Sequence, residues 1–409
     1  MSETWAGPQT WNDTIGTQGQ DCPHLATCTP EFSATFYETL QAAREKCPVA
    51  WDETNRTWFV VGGQTLFGVA HDWETYSSAL GVGGPRFPQL LPMDADPPRH
   101  RDWRRVLNPF FTKKILEATE ADIRAIAERL VDRLPAEGPV EMVAAFARPL
   151  PGQVFFSEIL DLPDDELEHC QELVERAVFL NNVEQMVAAQ TELNEYVRML
   201  VARRQAEPPG DDLLGAVVHA EINGEQVPVD DAVSIVTMLI FGGLETTTNT
   251  LGSTLLQLGR DQELQRRLRG NPELLSASVE EFLRLHAPTI YLSRYVTRST
   301  VLEGLSIEAG QRVALSFAAA NRDPKIFENP DEFSLERPHN RHYAFGVGIH
   351  RCLGSNLARL VLRVALEVLL ERLRDIEVAD GFQPVYHPVG VRSLESLDLT
   401  FRIEQPAAA

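Results

Sequence analysis

A cysteine set in a glycine-punctuated loop that runs straight into a helix is the strongest constraint in this chain. The loop reads Phe345-Gly346-Val347-Gly348-Ile349-His350-Arg351-Cys352-Leu353-Gly354. Glycines permit backbone turns closed to other residues. After Gly354, the residues Leu357, Leu360, Val361, Val364, Ala365, Val368 and Leu369 recur at three- and four-residue spacing. That stripe predicts a helix buried on one side. The sulfur therefore sits at a helix N-terminus, where the dipole and free N–H groups favour a thiolate. N–H groups near it would tune its donation to a metal. The alternative for a single cysteine is a small buried hydrophobe. Cys22, Cys28, Cys47 and Cys170 have no such setting. An odd total of five and the absence of a CxxC pair argue against a disulfide framework or a zinc ribbon. A reducing cytoplasm is the expected compartment.

The chain of 409 residues is 44% hydrophobic, which allows a large core. Its 59 acidic residues outnumber 37 Lys and Arg, for a formal net charge of -22. A general surface this acidic is not expected to bind nucleic acid, so any local cluster of cations stands out. The N-terminus, MSETWAGPQTWNDT, lacks a basic region followed by an apolar run and is not read as a signal peptide. Residues 1–20 are expected to be poorly ordered. The most apolar stretch, Ala232 to Leu244, falls short of the ~20 residues of a membrane helix. The expectation is a protein neither secreted nor membrane-anchored. Helical patterning dominates from Asp102 to Leu285, with alternating runs near Trp58 to Val61 and Ser396 to Ile403. The fold class is mostly α with a minor β region, α+β.

Three further segments carry chemistry. A long helix is predicted from Asp230 to Leu258, and its middle reads Gly242-Gly243-Leu244-Glu245-Thr246-Thr247-Thr248. Each interior glycine costs ~1 kcal/mol, which predicts a local distortion with a purpose. The Thr246 hydroxyl can reach the Gly242 carbonyl four residues back. The resulting groove suits a diatomic ligand with Glu245 and Thr246 as a proton relay, unless this is simply a packed core helix. A second helix should start at Asn271, an N-cap with Pro272 behind it, and end near His286 before Pro288. On it, Glu281 and Arg284 stand three apart on one face and can pair; such pairs are usually solvated, but a buried arginine requires carboxylate partners. Finally, Asp96-Pro97-Pro98-Arg99-His100-Arg101-Asp102-Trp103-Arg104 gathers cations in an acidic chain.

These segments, in this order, resemble the cytochrome P450 family, soluble bacterial type. The cysteine loop matches the family's haem signature, Phe-Gly-x-Gly-x-His-x-Cys-x-Gly, at every specified position. The resemblance implies haem b with Cys352 as its iron ligand, a thiolate that favours O–O cleavage. It implies a loop built by Phe345, Gly346 and Gly354 and a propionate bond from His350. Glu281-Phe282-Leu283-Arg284 matches the Glu-x-x-Arg motif, and Pro330 to Arg337 matches the family meander, making Glu281, Arg284 and Arg337 one structural charge network. Gly242-Gly243-Leu244-Glu245-Thr246 is similar to the oxygen-activation motif, with Glu in place of the commoner Asp. Residues 96–104 match Asp-Pro-Pro-x-His-x-x-x-Arg, which makes His100 and Arg104 propionate ligands; Arg294 matches another. The implied fold is that of a cytochrome P450, one domain over 1–409, with haem between a long distal helix and the proximal cysteine-loop helix.

The implied activity is a monooxygenase that inserts one atom of dioxygen into a small hydrophobic substrate by hydroxylation or O-dealkylation. A peroxide-driven peroxygenase and a non-enzymatic gas-binding haem protein are the rivals; the acid–alcohol pair argues against both. The resemblance places the substrate pocket at Phe87, Phe179, Phe241, Thr289, Tyr291, Leu292, Val391 and Leu394. This aromatic-rich lining favours a small aromatic or terpenoid, with a macrolide-sized or carrier-bound metabolite as the alternative. Arg392 is a candidate anchor for an acid. Arg101, Arg105, Lys113, Lys114, Arg351, Arg359 and Arg363 are read as a basic docking face for an acidic ferredoxin, of the 2Fe–2S or another type, with its reductase; a flavodoxin is the runner-up. No nucleic acid or membrane partner is expected, and the protein is read as a cytoplasmic monomer.

Overall fold

The computed structural model describes residues 22–27, 29–81, 89–179, 183–387 and 391–404. Residues 1–20 lie outside the described residues. Helices dominate, and a six-stranded sheet lies to one side in the order His24–Leu25, Val49–Asp52, Thr57–Val60, Arg312–Ser316, Tyr291–Val296, Tyr76–Ser77. The strand expected near Trp58 is the third of these. Arg312–Ser316 runs antiparallel to Tyr291–Val296, with Val313 opposite Arg294. A second sheet pairs Asp398–Ile403, the strand expected near the C-terminus, with Leu373–Val378 and Val140–Glu141.

The long helix runs from Val229 to Arg260. Its two glycines do not break it. Threonine hydroxyls fold back onto its carbonyls: Thr246 donates to Gly242 at 3.0 Å, Thr248 to Leu244 at 2.8 Å and Thr250 to Thr246 at 3.0 Å. Packing supplies the reason, because Ile235, Val236, Ile240, Leu244, Leu251, Leu255 and Leu258 are all buried. Each buried aliphatic side chain contributes about 1.5–3 kcal/mol, more than a glycine costs. Gly243 has a steric reason of its own, since a Cβ there would lie 2.6 Å from the Phe155 ring.

The helix expected from Asn271 begins at Leu275 and ends at Leu285. Pro272–Leu274 form a separate tight turn, and the Asn271 amide donates backwards to the Arg267 carbonyl at 2.8 Å instead of capping the next helix. The cysteine-loop helix spans Ser355–Arg372, with Leu357, Leu360, Val361, Val364, Ala365, Val368 and Leu369 all buried as the stripe required.

The Leu275–Leu285 helix carries Arg284, whose side chain is 0% exposed, against Glu281 at 1%. Arg284 grips Glu281 with two parallel bonds of 2.8 Å. Its remaining N–H groups donate to the carbonyls of Asn321, Pro330 and Glu332 at 2.9, 2.5 and 2.9 Å. Arg337 donates to both Glu281 oxygens at 3.2 Å, and Asn340 and the Ser334 N–H complete the carboxylate. A charge this deep is tolerated only with every donor used. The network therefore folds residues 321–340 against the helix that underlies the cysteine loop. Arg284→Lys removes the planar fork and leaves carbonyls unpaired. It is expected to cost about 3–5 kcal/mol. Urea unfolding midpoints, with the fraction of chain that takes up haem, check this; an unchanged midpoint would contradict it.

Candidate active site

A cavity of about 340 Å³ lies between the long helix and the cysteine loop. Gly242, Gly243, Thr246 and Thr250 form one wall, and Phe345, Gly346, Cys352, Leu353, Gly354, Leu357 and Ala358 form the facing wall. His100, Arg104, Arg294, His350 and Arg351 also line it. Leu90, Pro92, Met93, Met238, Leu239 and Phe241 add an apolar portion.

The cysteine wall is built by backbone geometry. Gly346 and Gly348 have φ of 65° and 72°. A Cβ on Gly348 would sit 2.4 Å from the Ala70 carbonyl oxygen, so the loop can pass only as glycine. The Cys352 N–H donates to the Phe345 carbonyl at 2.8 Å, closing the loop. Cys352 has open surface, but that surface faces the cavity and the sulfur is deep within the chain. Burial pushes its thiol pKa up, while the Gly354 N–H and the charges of Arg104, Arg359 and Arg351 pull it down.

Four cationic or imidazole groups converge, and no Asp or Glu is among the described residues that line the cavity, although Asp96 and Asp94 lie close enough to Arg294 to work against the lowering of its pKa. The His100 and His350 rings meet edge to face at 4.5 Å. Burial lowers His100 to about 4 and His350 to about 2, with neighbouring cations adding to the effect, and lowers Arg294 to about 10. The Arg294 guanidinium donates to the Ser293 carbonyl in its own strand at 2.8 Å, its one hydrogen bond among the described residues. His350 Nε2 is buried with no hydrogen-bond partner among the described residues. Buried donors without acceptors are costly, so a bound anion belongs here. A flat macrocycle carrying two carboxylates, with a metal open to one sulfur, fits these residues. Haem b has that shape and charge.

The expected relay pair divides. The Thr246 hydroxyl reaches Gly242 and Thr246 lines the cavity. Glu245 is buried but is not among the cavity's lining residues. Desolvation raises its pKa to about 7; nearby Arg148 works against that rise and Glu175 adds to it. Arg148 and Glu175 are paired with each other at 3.3 Å and are partly exposed.

Of the expected pocket residues, Phe241, Thr289, Leu292 and Val391 line the cavity. Tyr291 does not. It alternates with Leu292 along its strand, so its ring turns away and meets Phe59 at 5.0 Å. Leu394 is also displaced, buried in the core beside Gly252. Phe87 and the Phe179 side chain lie outside the described residues. Arg392 is not available to a cavity ligand, because its guanidinium lies against the rings of Tyr386, Phe36 and Tyr37 at 3.7, 4.8 and 5.1 Å. Met93, Phe155 and Met238 were not anticipated. Met238 stands one turn before Gly242, so helical spacing could have found it; Phe155 comes from a distant segment and carried no signal.

The basic face is smaller than expected. Arg359 is held by both oxygens of Glu280 at 2.6 and 2.9 Å. Arg363 is paired with Glu120 at 2.6 Å and Glu367 at 2.5 Å. Both are spent inside the fold. Arg101, Lys114 and Arg351 are exposed, while Arg105 and Lys113 are exposed with one acid each, Asp102 and Glu117.

Glu245 gives a signed pH dependence. Its folded pKa lies above the ordinary 4.5, so its contribution to stability is full below that value and lost as pH rises through about 7. The loss is about 3 kcal/mol. Glu245→Gln is expected to flatten the fall in unfolding midpoint between pH 5 and pH 8. Equal slopes in both proteins would contradict the burial of an ionisable carboxyl there.

The comparisons with known proteins agree with this geometry. The family described as Cytochrome P450 matches residues 86–378. The Polyketide biosynthesis cytochrome P450 PksS of Bacillus subtilis is 34% identical over 310 residues, 75% of this chain and 76% of that protein. A Steroid C26-monooxygenase of Mycobacterium tuberculosis is 33% identical over 347 residues, 81% of this chain and 91% of that protein. A mutant of P450 EryK in complex with erythromycin B superposes with a TM-score of 0.85 at 27% identity, covering 94% of this chain and 100% of the other. The chain thus belongs to the cytochrome P450 family of haem b monooxygenases, and the cavity between the Cys352 loop and the threonine-bearing helix is the candidate site for that haem.

Proposed function

We propose that this chain oxidises a neutral, apolar substrate with dioxygen, taking its electrons from a ferredoxin. The observation that carries the reading is the Thr246 hydroxyl, held on the Gly242 carbonyl in the wall opposite Cys352 and adjacent in sequence to a buried, weakly acidic Glu245. A peroxide-driven enzyme or a gas carrier has no need of that pair. Haem b, when bound, supplies dioxygen activation: substrate, dioxygen, two electrons and two protons give the oxygenated product and water.

The residues around it have separable tasks. Cys352 holds the iron, and the Gly354 N–H on its sulfur limits how strongly it donates. His100, Arg104, Arg294 and His350 hold the propionates. Glu245 receives a proton from the side of Arg148 and Glu175 and passes it towards the Thr246 hydroxyl. A carboxyl with a pKa near working pH suits both halves of that transfer. Leu90, Pro92, Met93, Met238, Leu239, Phe241 and Leu292 exclude water. Thr289 offers a hydroxyl to orient a polar group on the substrate.

Charged residues are confined to the propionate end among the described lining, and Arg392 is withdrawn into its aromatic cage, which favours neutral substrates. Relatives named for polyketide biosynthesis and for steroids make a larger polycyclic or chain-like skeleton a better fit than a small aromatic. The ferredoxin reading rests on the exposed cations Arg101, Arg105, Lys113, Lys114 and Arg351. The 99–117 segment is tied to the cysteine-loop helix by the Asn356 amide, which donates to the Phe111 carbonyl at 3.0 Å. We read the chain as one folded unit, because the cavity draws on residues from Ala70 to Val391, and as a cytoplasmic monomer from its reading as a soluble bacterial-type member of the family.

Thr246→Ala tests the relay. Substrate affinity, read from optical titration, is expected to stay within about twofold, since the hydroxyl is committed to Gly242. Product formed per reduced nicotinamide consumed is expected to fall by at least about tenfold, conservatively against what positioned acid–base groups contribute. The remaining electrons should appear in peroxide or water. Unchanged coupling would remove Thr246 from the relay.

A further inference from the structure

Two adjacent acids on the Leu275–Leu285 helix do different work. Glu281 is consumed by Arg284 and Arg337, as described. Glu280, its neighbour, faces the cysteine loop. It accepts Arg359 Nε at 2.6 Å and Nη2 at 2.9 Å, and His342 Nε2 at 3.2 Å. The His342 ring is held at its other nitrogen too, because the Ala344 N–H donates to Nδ1 at 3.2 Å. That pattern assigns the proton to Nε2, which donates to Glu280. Burial alone would push the Glu280 carboxyl up, but the bonds from His342 and Arg359 hold it at about 2, so it is charged at any working pH.

The two groups that Glu280 holds both bear on Phe345. The Arg359 guanidinium lies over the Phe345 ring, 4.4 Å from its centroid. His342 contacts the same ring at 5.7 Å, tilted by 46°. The Phe345 carbonyl in turn receives the Cys352 N–H. Arg359 also donates to the Ser355 carbonyl at 3.3 Å, in the first turn of the helix that follows the sulfur. One carboxylate therefore clamps the loop on both sides of Cys352.

We propose that Glu280 is a positioning residue that acts through Arg359 and His342 to hold the Phe345 ring and the Cys352 loop, and thereby sets the potential at which the haem iron accepts its first electron. The inference rests on the reading that Cys352 ligates the iron. Charge gives it a sign. Arg359 is a cation beside the sulfur, and Glu280 neutralises it. A positive charge near the iron favours the added electron, and a negative charge opposes it. Loss of Glu280 unmasks Arg359, whereas loss of Arg359 unmasks Glu280.

The test is a spectroelectrochemical titration of the haem-loaded protein and its variants Glu280→Gln, Arg359→Gln and Arg359→Lys, with carbon monoxide spectra of each reduced form. Glu280→Gln is expected to raise the midpoint potential and Arg359→Gln to lower it. Arg359→Lys retains the charge but loses the planar fork. It should keep a potential near the parent value, yet convert faster on warming from the red-shifted thiolate carbon monoxide band to the blue-shifted one. Should Glu280→Gln not take up haem, the contrast between Arg359→Gln and Arg359→Lys decides. Potentials that do not move, or that move in the same direction in Glu280→Gln and Arg359→Gln, overturn the proposal. A parent protein without the thiolate band would instead overturn the ligand assignment beneath it.

Discussion

A sulfur anion inside a protein must be answered by N–H groups and cations, and the Cys352 site is arranged around that demand. Burial works against the charge; the Gly354 N–H and three arginines work for it. The loop that delivers those groups can be traced only with positive φ at Gly346 and Gly348, the second pressed against the Ala70 carbonyl. The cysteine wall of the cavity therefore inherits its shape from backbone constraints. What lines it on the far side, Gly242, Gly243 and Thr246, is placed by the burial of a long helix that keeps its glycines helical.

The same helix turn supports both the fold and the electronics. Glu281 is enclosed by Arg284, Arg337, Asn340 and Ser334, and this closes the segment that leads into the cysteine loop. Glu280 points to the loop itself. Placing two carboxylates side by side in a largely buried helix would be unfavourable unless each had its own cations, and each does. The acidity of the chain as a whole makes this pairing informative. Arginines around the sulfur are divided between an internal clamp, Arg359, and an exposed position, Arg351.

Legibility in the sequence followed distance along the chain. The cysteine loop, the Glu281–Arg284 pair and the Thr246–Gly242 bond are contacts within a few residues, and each could be read as a motif. The cation cluster of His100, Arg104, Arg294 and His350 comes from three separate segments, and family resemblance alone brought it together. Tyr291 was misplaced although the signal was present: Leu292 and Arg294 share one face of a strand, so Tyr291 must take the other. Arg359 looked like a free cation because its acid, Glu280, lies far away in sequence, whereas Glu367, four residues beyond Arg363 on the same helix, was a legible partner that was passed over. Phe155 shapes Gly243 and the cavity, yet nothing local marks it. Glycine propensity marks Gly242 and Gly243 as costly in the long helix, but the packing that keeps the helix continuous across them is not local and carries no sequence signal there.

The account stands on Cys352 being the iron ligand, and the carbon monoxide difference spectrum of the reduced protein tests this most directly. The parent chain and Cys170→Ala, whose thiol is buried in the core and is not among the cavity's lining residues, are predicted to show the red-shifted band of a thiolate-ligated haem. Cys352→Ala is predicted to lose it. A red-shifted thiolate band retained in Cys352→Ala would contradict the assignment.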